Sequence, residues 1–194
     1  MMKNAIAALA VCLSIVLMPL SAEAQPSGPV EYRVLATNKT STMEKEMQQA
    51  ADAGFRFGDV MGGETALGGS EVVVIMVRDG TPGEYAYRLL ATNKTSTLQK
   101  ELQEAADAGF EFVGQTVFES LFGGKEVAAI LERAVQTGDV VKWEYKLIAT
   151  KRTSTLQKEL LQLGEQGFEA LGMTVGQTAV GGAELVVILR RKAR

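Results

Sequence analysis

The pattern of apolar and polar positions runs through the same order three times. Tyr32-Arg33-Val34-Leu35-Ala36-Thr37 is short, aromatic and β-branched, which predicts a strand. Met43, Met47, Ala50 and Ala51 then fall at i, i+4, i+7 and i+8, the stripe of an amphipathic helix. Leu98, Leu102, Ala105 and Ala106 repeat that stripe, as do Leu156, Leu160, Leu163 and Gly164. Each stripe stops at a glycine followed by phenylalanine: Gly54-Phe55, Gly109-Phe110 and Gly167-Phe168. A glycine there takes the left-handed conformation, and the residue after it folds back on the helix. At the other end Ser41 precedes Glu44 by three, as Ser96 precedes Gln99 and Ser154 precedes Gln157, which predicts a capping box.

A second strand follows from about Phe55 to Gly62, then a Gly-rich turn ending at Gly68-Gly69, Gly123-Gly124 or Gly181-Gly182. The last strand, Val72 to Val77 in the first copy, is apolar without alternation, the signature of a strand buried on both faces. It therefore belongs in the middle of its sheet. The unit is β-α-β-β, an α+β fold: a three-stranded antiparallel sheet of order 1-3-2 with one helix on one face. The opening tyrosines Tyr32, Tyr87 and Tyr145 stand 55 and 58 residues apart, a period that identifies tandem structural repeats. The chain divides into repeats at 25–80, 81–138 and 139–194, with joints at Asp79-Gly-Thr-Pro-Gly83 and Gln136-Thr-Gly-Asp139. Each unit is marginal alone. Its first strand also carries apolar residues on the face away from the helix, Leu35, Leu90 and Ile148 alternating with Tyr32/Val34, Tyr87/Leu89 and Tyr145/Leu147. Such faces, with open sheet edges, favour association of the copies into one pseudo-threefold body.

The residues before the first repeat are of a different kind. Met1–Ala24 has one early cation, Lys3, an apolar run from Ala5 to Leu20, and Ala22-Glu23-Ala24 ahead of Gln25. That order predicts a signal peptide cleaved after Ala24 and an exported protein, periplasmic or extracellular. The run is short for a membrane span, and no later stretch approaches the required length. The only cysteine, Cys12, lies inside it, and the chain has no histidine. Residues 25–194 therefore lack the commonest metal ligands and general base, and no metal or cofactor is expected. A net charge of −3 argues against nucleic acid as a partner, and the basic end Arg190-Arg191-Lys192-Ala193-Arg194 reads as a solvated strand terminus.

Glu144-Tyr-Lys-Leu-Ile148, then Leu156-Gln-Lys-Glu-Leu-Leu-Gln-Leu-Gly-Glu-Gln-Gly-Phe-Glu169, then Leu185-Val-Val-Ile-Leu-Arg-Arg191 resemble the bacterial domain of unknown function 4177. There an aromatic opening strand, a helix ending in Gly-aromatic-Glu and a closing apolar strand ending in a basic residue span the domain. The third repeat fits best. The first departs at Arg56, where the pattern prefers an acidic residue, and all three use Phe where Trp is commoner. The resemblance implies the fold and supplies no catalytic residues.

Candidate chemistry gathers at the strand–helix joints: Asn38, Lys39, Thr40 and Ser41; Asn93, Lys94, Thr95 and Ser96; Lys151, Arg152, Thr153 and Ser154. Hydroxyls, a cation and free amides converge there on the positive end of a helix, an arrangement suited to a small anion or an acidic glycan. Capping and turn chemistry account for the same residues without a ligand. There is no GxxxxGK loop. Ser41 with Lys45, or Ser96 with Lys100, mimics the Ser–Lys pair of a hydrolase, and a solvated helix face explains it equally. The expected function is an exported, non-catalytic binding or structural module whose partner is an envelope protein or a small anion.

Overall fold

The computed structural model describes residues 28–65, 69–120, 124–135, 141–178 and 182–193. The expected signal peptide, the joint at 136–139 and the turn glycines Gly68, Gly123 and Gly181 lie outside the described residues, as does Arg194.

The first repeat comprises β1 (Glu31–Thr37), α1 (Thr40–Asp52), β2 (Arg56–Thr65) and β3 (Gly69–Arg78). The second comprises β4 (Tyr85–Thr92), α2 (Thr95–Asp107), β5 (Glu111–Ser120) and β6 (Gly124–Ala134). The third comprises β7 (Trp143–Thr150), α3 (Thr153–Glu165), β8 (Glu169–Thr178) and β9 (Gly182–Lys192). Each repeat forms its own antiparallel sheet with its last strand in the middle, β1-β3-β2, β4-β6-β5 and β7-β9-β8. The apolar closing strands are central, as their lack of alternation predicts. A bulge interrupts the second strand of every repeat, between Phe57 and Asp59, Phe112 and Gly114, and Ala170 and Gly172.

Helix ends follow the expected chemistry on one side only. Gly54, Gly109 and Gly167 have φ of 83°, 83° and 84°. The amide of Phe55 donates to the Ala50 carbonyl at 3.0 Å and that of Gly54 to Ala51 at 2.8 Å, the paired bonds of a glycine-terminated helix. An arginine in the last two residues of each central strand completes the cap: Arg78, Arg133 and Arg191 donate to the carbonyls of Ala53, Ala108 and Gln166, each lying over the phenylalanine of its own repeat. At the start, the expected capping box is absent. The helices begin at Thr40, Thr95 and Thr153, one residue before each serine, and the cap positions Lys39, Lys94 and Arg152 make no side-chain cap bond. The helices start one residue too early for the serines to be caps, and in α1 and α2 the box partners Glu44 and Gln99 are engaged by the next repeat instead.

The sheets alternate with the helices. The helical stripe Met43, Met47, Ala50 and Ala51 packs with Leu35, Val72, Val74 and Met76 of its own sheet; Tyr87, Ala128 and Ile130 of the second sheet join the same core. The second core likewise joins Leu98, Leu102 and Leu131 to Tyr145, Val186 and Ile188 of the third sheet. Leu35 and Ile148 thus lie on the side of their own helix. The residues facing away are Tyr32 and Val34 and their counterparts. Extensive contacts link first repeat to second and second to third, through α1 with β4, β2 with β5, α2 with β7, and β5 and β6 with β8. Between elements of the first and third repeats no extensive contact occurs among the described residues. These contacts describe neighbours in series, and the expected pseudo-threefold packing does not follow from them. Such nearest-neighbour packing is the physics of stacked repeats.

Candidate functional site

The strand–helix joints fold alike. The hydroxyls of Thr37, Thr92 and Thr150 accept the amides of Lys39, Lys94 and Arg152 at 3.2, 3.1 and 3.3 Å. Asn38, Lys39 and Ser41 are exposed, as are Lys94, Ser96 and the whole set Lys151, Arg152, Thr153 and Ser154; Thr40, Asn93 and Thr95 are half-buried. Each joint belongs to its own repeat. Lys45 and Ser41 are both exposed, and Lys100 lies 3.5 Å from Glu104 on the surface of its helix.

The polar chemistry of the interior lies between repeats. Arg56, at the start of β2, donates from Nε at 3.0 Å and Nη2 at 2.8 Å to Glu132 Oε1 on β6. Tyr87 donates its hydroxyl proton to Glu132 Oε2 at 2.8 Å and accepts the bulge amide of Phe57 at 2.7 Å. Glu132 is buried, with both oxygens engaged. The carboxylate raises the pKa of Arg56 above its ordinary value. Burial, then the negative charge of Glu132, pushes Tyr87 far above the usual phenol range. The guanidinium also stacks 4.6 Å from the Tyr85 ring centre. A cleft of about 270 Å³ opens beside the pair, lined among others by Phe57, Asp79, Thr81 and Val113. None of the candidate residues at the strand–helix joints lines it.

The second seam reverses the charges. Glu111 occupies the position of Arg56, and Arg190 that of Glu132, with Nη1 to Oε2 at 3.1 Å. Arg190 stacks 4.0 Å from the Trp143 ring centre. Tyr145 accepts the bulge amide of Phe112 at 2.8 Å, and burial raises its pKa.

A second device joins each helix to the following repeat. The first strand of every repeat is an edge strand, with one row of backbone groups left by its sheet. Gln103 on α2 donates to the Trp143 carbonyl at 3.1 Å and accepts the Tyr145 amide at 3.1 Å. Gln99 donates to the Tyr145 carbonyl and accepts the Leu147 amide, both at 2.8 Å. On α1, Gln48 clasps Tyr85 and Tyr87 in the same way, and Glu44 accepts the Leu89 amide at 2.8 Å. Side-chain amides, and at Glu44 a carboxylate, thus substitute for a neighbouring strand. Spacing within one helix assigned Glu44 and Gln99 to a cap. The recurrence of Gln48 at Gln103, and its replacement by Leu161 in α3, was the signal in the sequence for a role between repeats.

Among the described residues no helix is long and apolar enough to cross a membrane, and no group of three or more acidic residues is placed to hold a metal ion. Compared with known proteins, the chain matches no family model, no curated protein and no solved structure. The resemblance to the domain of unknown function 4177 rests on residues 144–148, 156–169 and 185–191 alone.

Proposed function

We propose that this is an exported, non-catalytic binding or structural protein that acts through the apolar ends of its repeat stack. Tyr32 and Val34 are 68 % and 64 % exposed on the outer face of the first sheet, whereas their counterparts Tyr87 and Tyr145 are 6 % and 1 % exposed inside the stack. Stacked repeats ordinarily end in polar outer faces, and apolar surface left at an end marks a site of contact. Export rests on the order of charged, apolar and small residues in Met1–Ala24. The non-catalytic part rests on the seams, where the buried Glu132 is consumed by Arg56 and Tyr87.

The test is expression of the whole chain with recovery from each cell fraction. The protein is expected outside the cytoplasm with a mass that starts at Gln25. Retention in the cytoplasm with residues 1–24 attached would overturn export. Turnover of generic esters or glycosides that disappears in the triple variant Ser41→Ala, Ser96→Ala, Ser154→Ala would overturn the non-catalytic assignment.

A further inference from the structure

Ten large apolar side chains are exposed among the described residues, and eight of them lie on the two ends of the stack. Val30, Tyr32, Val34, Met61 and Ile75 form the front of the first sheet. Leu161, Met173 and Val175 lie on the back of the third repeat. The position of each follows from its counterparts inside the stack. Ile75 is 38 % exposed, while Ile130 and Ile188 at the same place in the second and third sheets are 1 % and 0 % exposed under the preceding helix. Met61 matches the buried Thr116, which faces the first repeat. On the back, Leu161 holds the place of Gln48 and Gln103, and Met173 that of Gln115, whose amide donates to the Val186 carbonyl of the following repeat.

We propose that these two ends bind each other in separate copies. The α3 and β8 face of one molecule docks on the first sheet of the next, head to tail, and repeats the seam that the chain already builds twice. The inference rests on the proposed function and names its partner: a second copy of this chain.

The residues at the ends differ from the internal seams in matched ways. Inside, Gln103 meets the backbone beside Trp143, and Gln48 meets that beside Tyr85. At the open ends the corresponding residues are Leu161 and Val30, so apolar meets apolar. Inside, Gly114 and Gly172 make room for a ring of the preceding repeat. A Cβ on them would stand 2.8 Å from Phe57 Cζ and 3.2 Å from Phe112 Cζ. At the ends the glycine becomes Asp59 and the phenylalanine becomes Ala170, so the bulk moves from one partner to the other. Gln157 stands where Gln99 holds Tyr145 and Leu147, placed to clasp the edge of β1 at Tyr32 and Val34. Tyr32 stands where Tyr87 and Tyr145 take a bulge amide, and the amide facing it is that of Ala170 in the other copy. Because front and back are different surfaces, the contact is heterologous and propagates into a chain of molecules or closes as a ring.

The experiment uses the protein purified from cells carrying the whole sequence, and two variants on exposed positions: Val34→Asp at the front and Leu161→Glu at the back. Mass is read by sedimentation over a hundredfold range of concentration, and an apolar fluorescent dye reads surface left uncovered. The wild type is expected to grow in mass with concentration and to lose dye as it does. Each variant alone stays monomeric. Mixed in equal amounts, the two give a species of two molecules and none larger, since one good front and one good back remain. A dimer that persists in Leu161→Glu alone would show front-to-front pairing and overturn the proposal. A wild type that stays monomeric would also overturn it. In that case dye binding that falls in both variants leaves the ends as a site for another partner. Dye binding unchanged by either variant removes the proposed function as well.

Discussion

Arg56 and Glu132 form a 2.8 Å ion pair between the first and second repeats, and the next seam holds the same pair with its charges exchanged, Glu111 with Arg190. The exchange explains why the first repeat carries arginine where its pattern elsewhere is acidic. In the first two repeats the charge at that position is opposite to that of its partner in the following repeat.

Glu132→Ala removes the acceptor of both Arg56 and the buried Tyr87 hydroxyl. It is expected to cost about 1–3 kcal/mol, the penalty for a buried polar group left unmatched. The double exchange Arg56→Glu with Glu132→Arg reproduces the second seam and is expected to recover most of that loss. Urea denaturation of the three proteins checks it, and a double exchange no more stable than Glu132→Ala would contradict the pairing.

Alkaline pH is expected to unfold the protein through its seam tyrosines. The pKa of Tyr87 is raised above the ordinary 10.0, so the folded state keeps a proton that the unfolded chain gives up. Stability is therefore intact below about pH 10 and falls as pH rises further, by up to about 1.4 kcal/mol per pH unit for each such tyrosine. Tyr87→Phe is expected to be less stable at neutral pH and to show a shallower alkaline slope. Denaturant titrations at pH 7 to 11 measure both.

Gln103→Ala leaves the Trp143 carbonyl and the Tyr145 amide without their side-chain partner. A loss of about 1–2 kcal/mol is expected. Amide exchange should quicken at Tyr145 while Leu147, held by Gln99, keeps its protection. Equal loss at both would mean that α2 as a whole had moved.

Three glycine-to-alanine changes should separate by the space each meets. Gly62→Ala drives a methyl into the backbone of Val117 in the second repeat and is expected to be the most damaging. Gly114→Ala meets Phe57 and Val60 side chains, which can shift, at a cost of about 1–3 kcal/mol. Gly164, inside α3, meets nothing within 4 Å, so Gly164→Ala is expected to stabilise by about 0.5–1 kcal/mol. Thermal melts of the three variants rank them.

The repeat, the β-α-β-β order, the antiparallel 1-3-2 sheets and the glycine that ends each helix are all legible in the order of residues alone. Those depend on hydrogen bonds and periodicities among near neighbours, which a single repeat contains in full. The stripe of Met43, Met47, Ala50 and Ala51 is legible because a helix returns to one face within its own turns. What lies between repeats emerges only once the chain is folded. Arg56 and Glu132 are 76 residues apart, and Glu44 meets Leu89 across 45. Nothing local distinguishes a glutamate that caps its own helix from one that holds the next strand. The same holds for the apolar stripe of α3, where Leu156 is buried while Leu160 and Leu163 are half-buried. Periodicity marks a face as apolar, and only the presence or absence of a following sheet determines whether that face is covered.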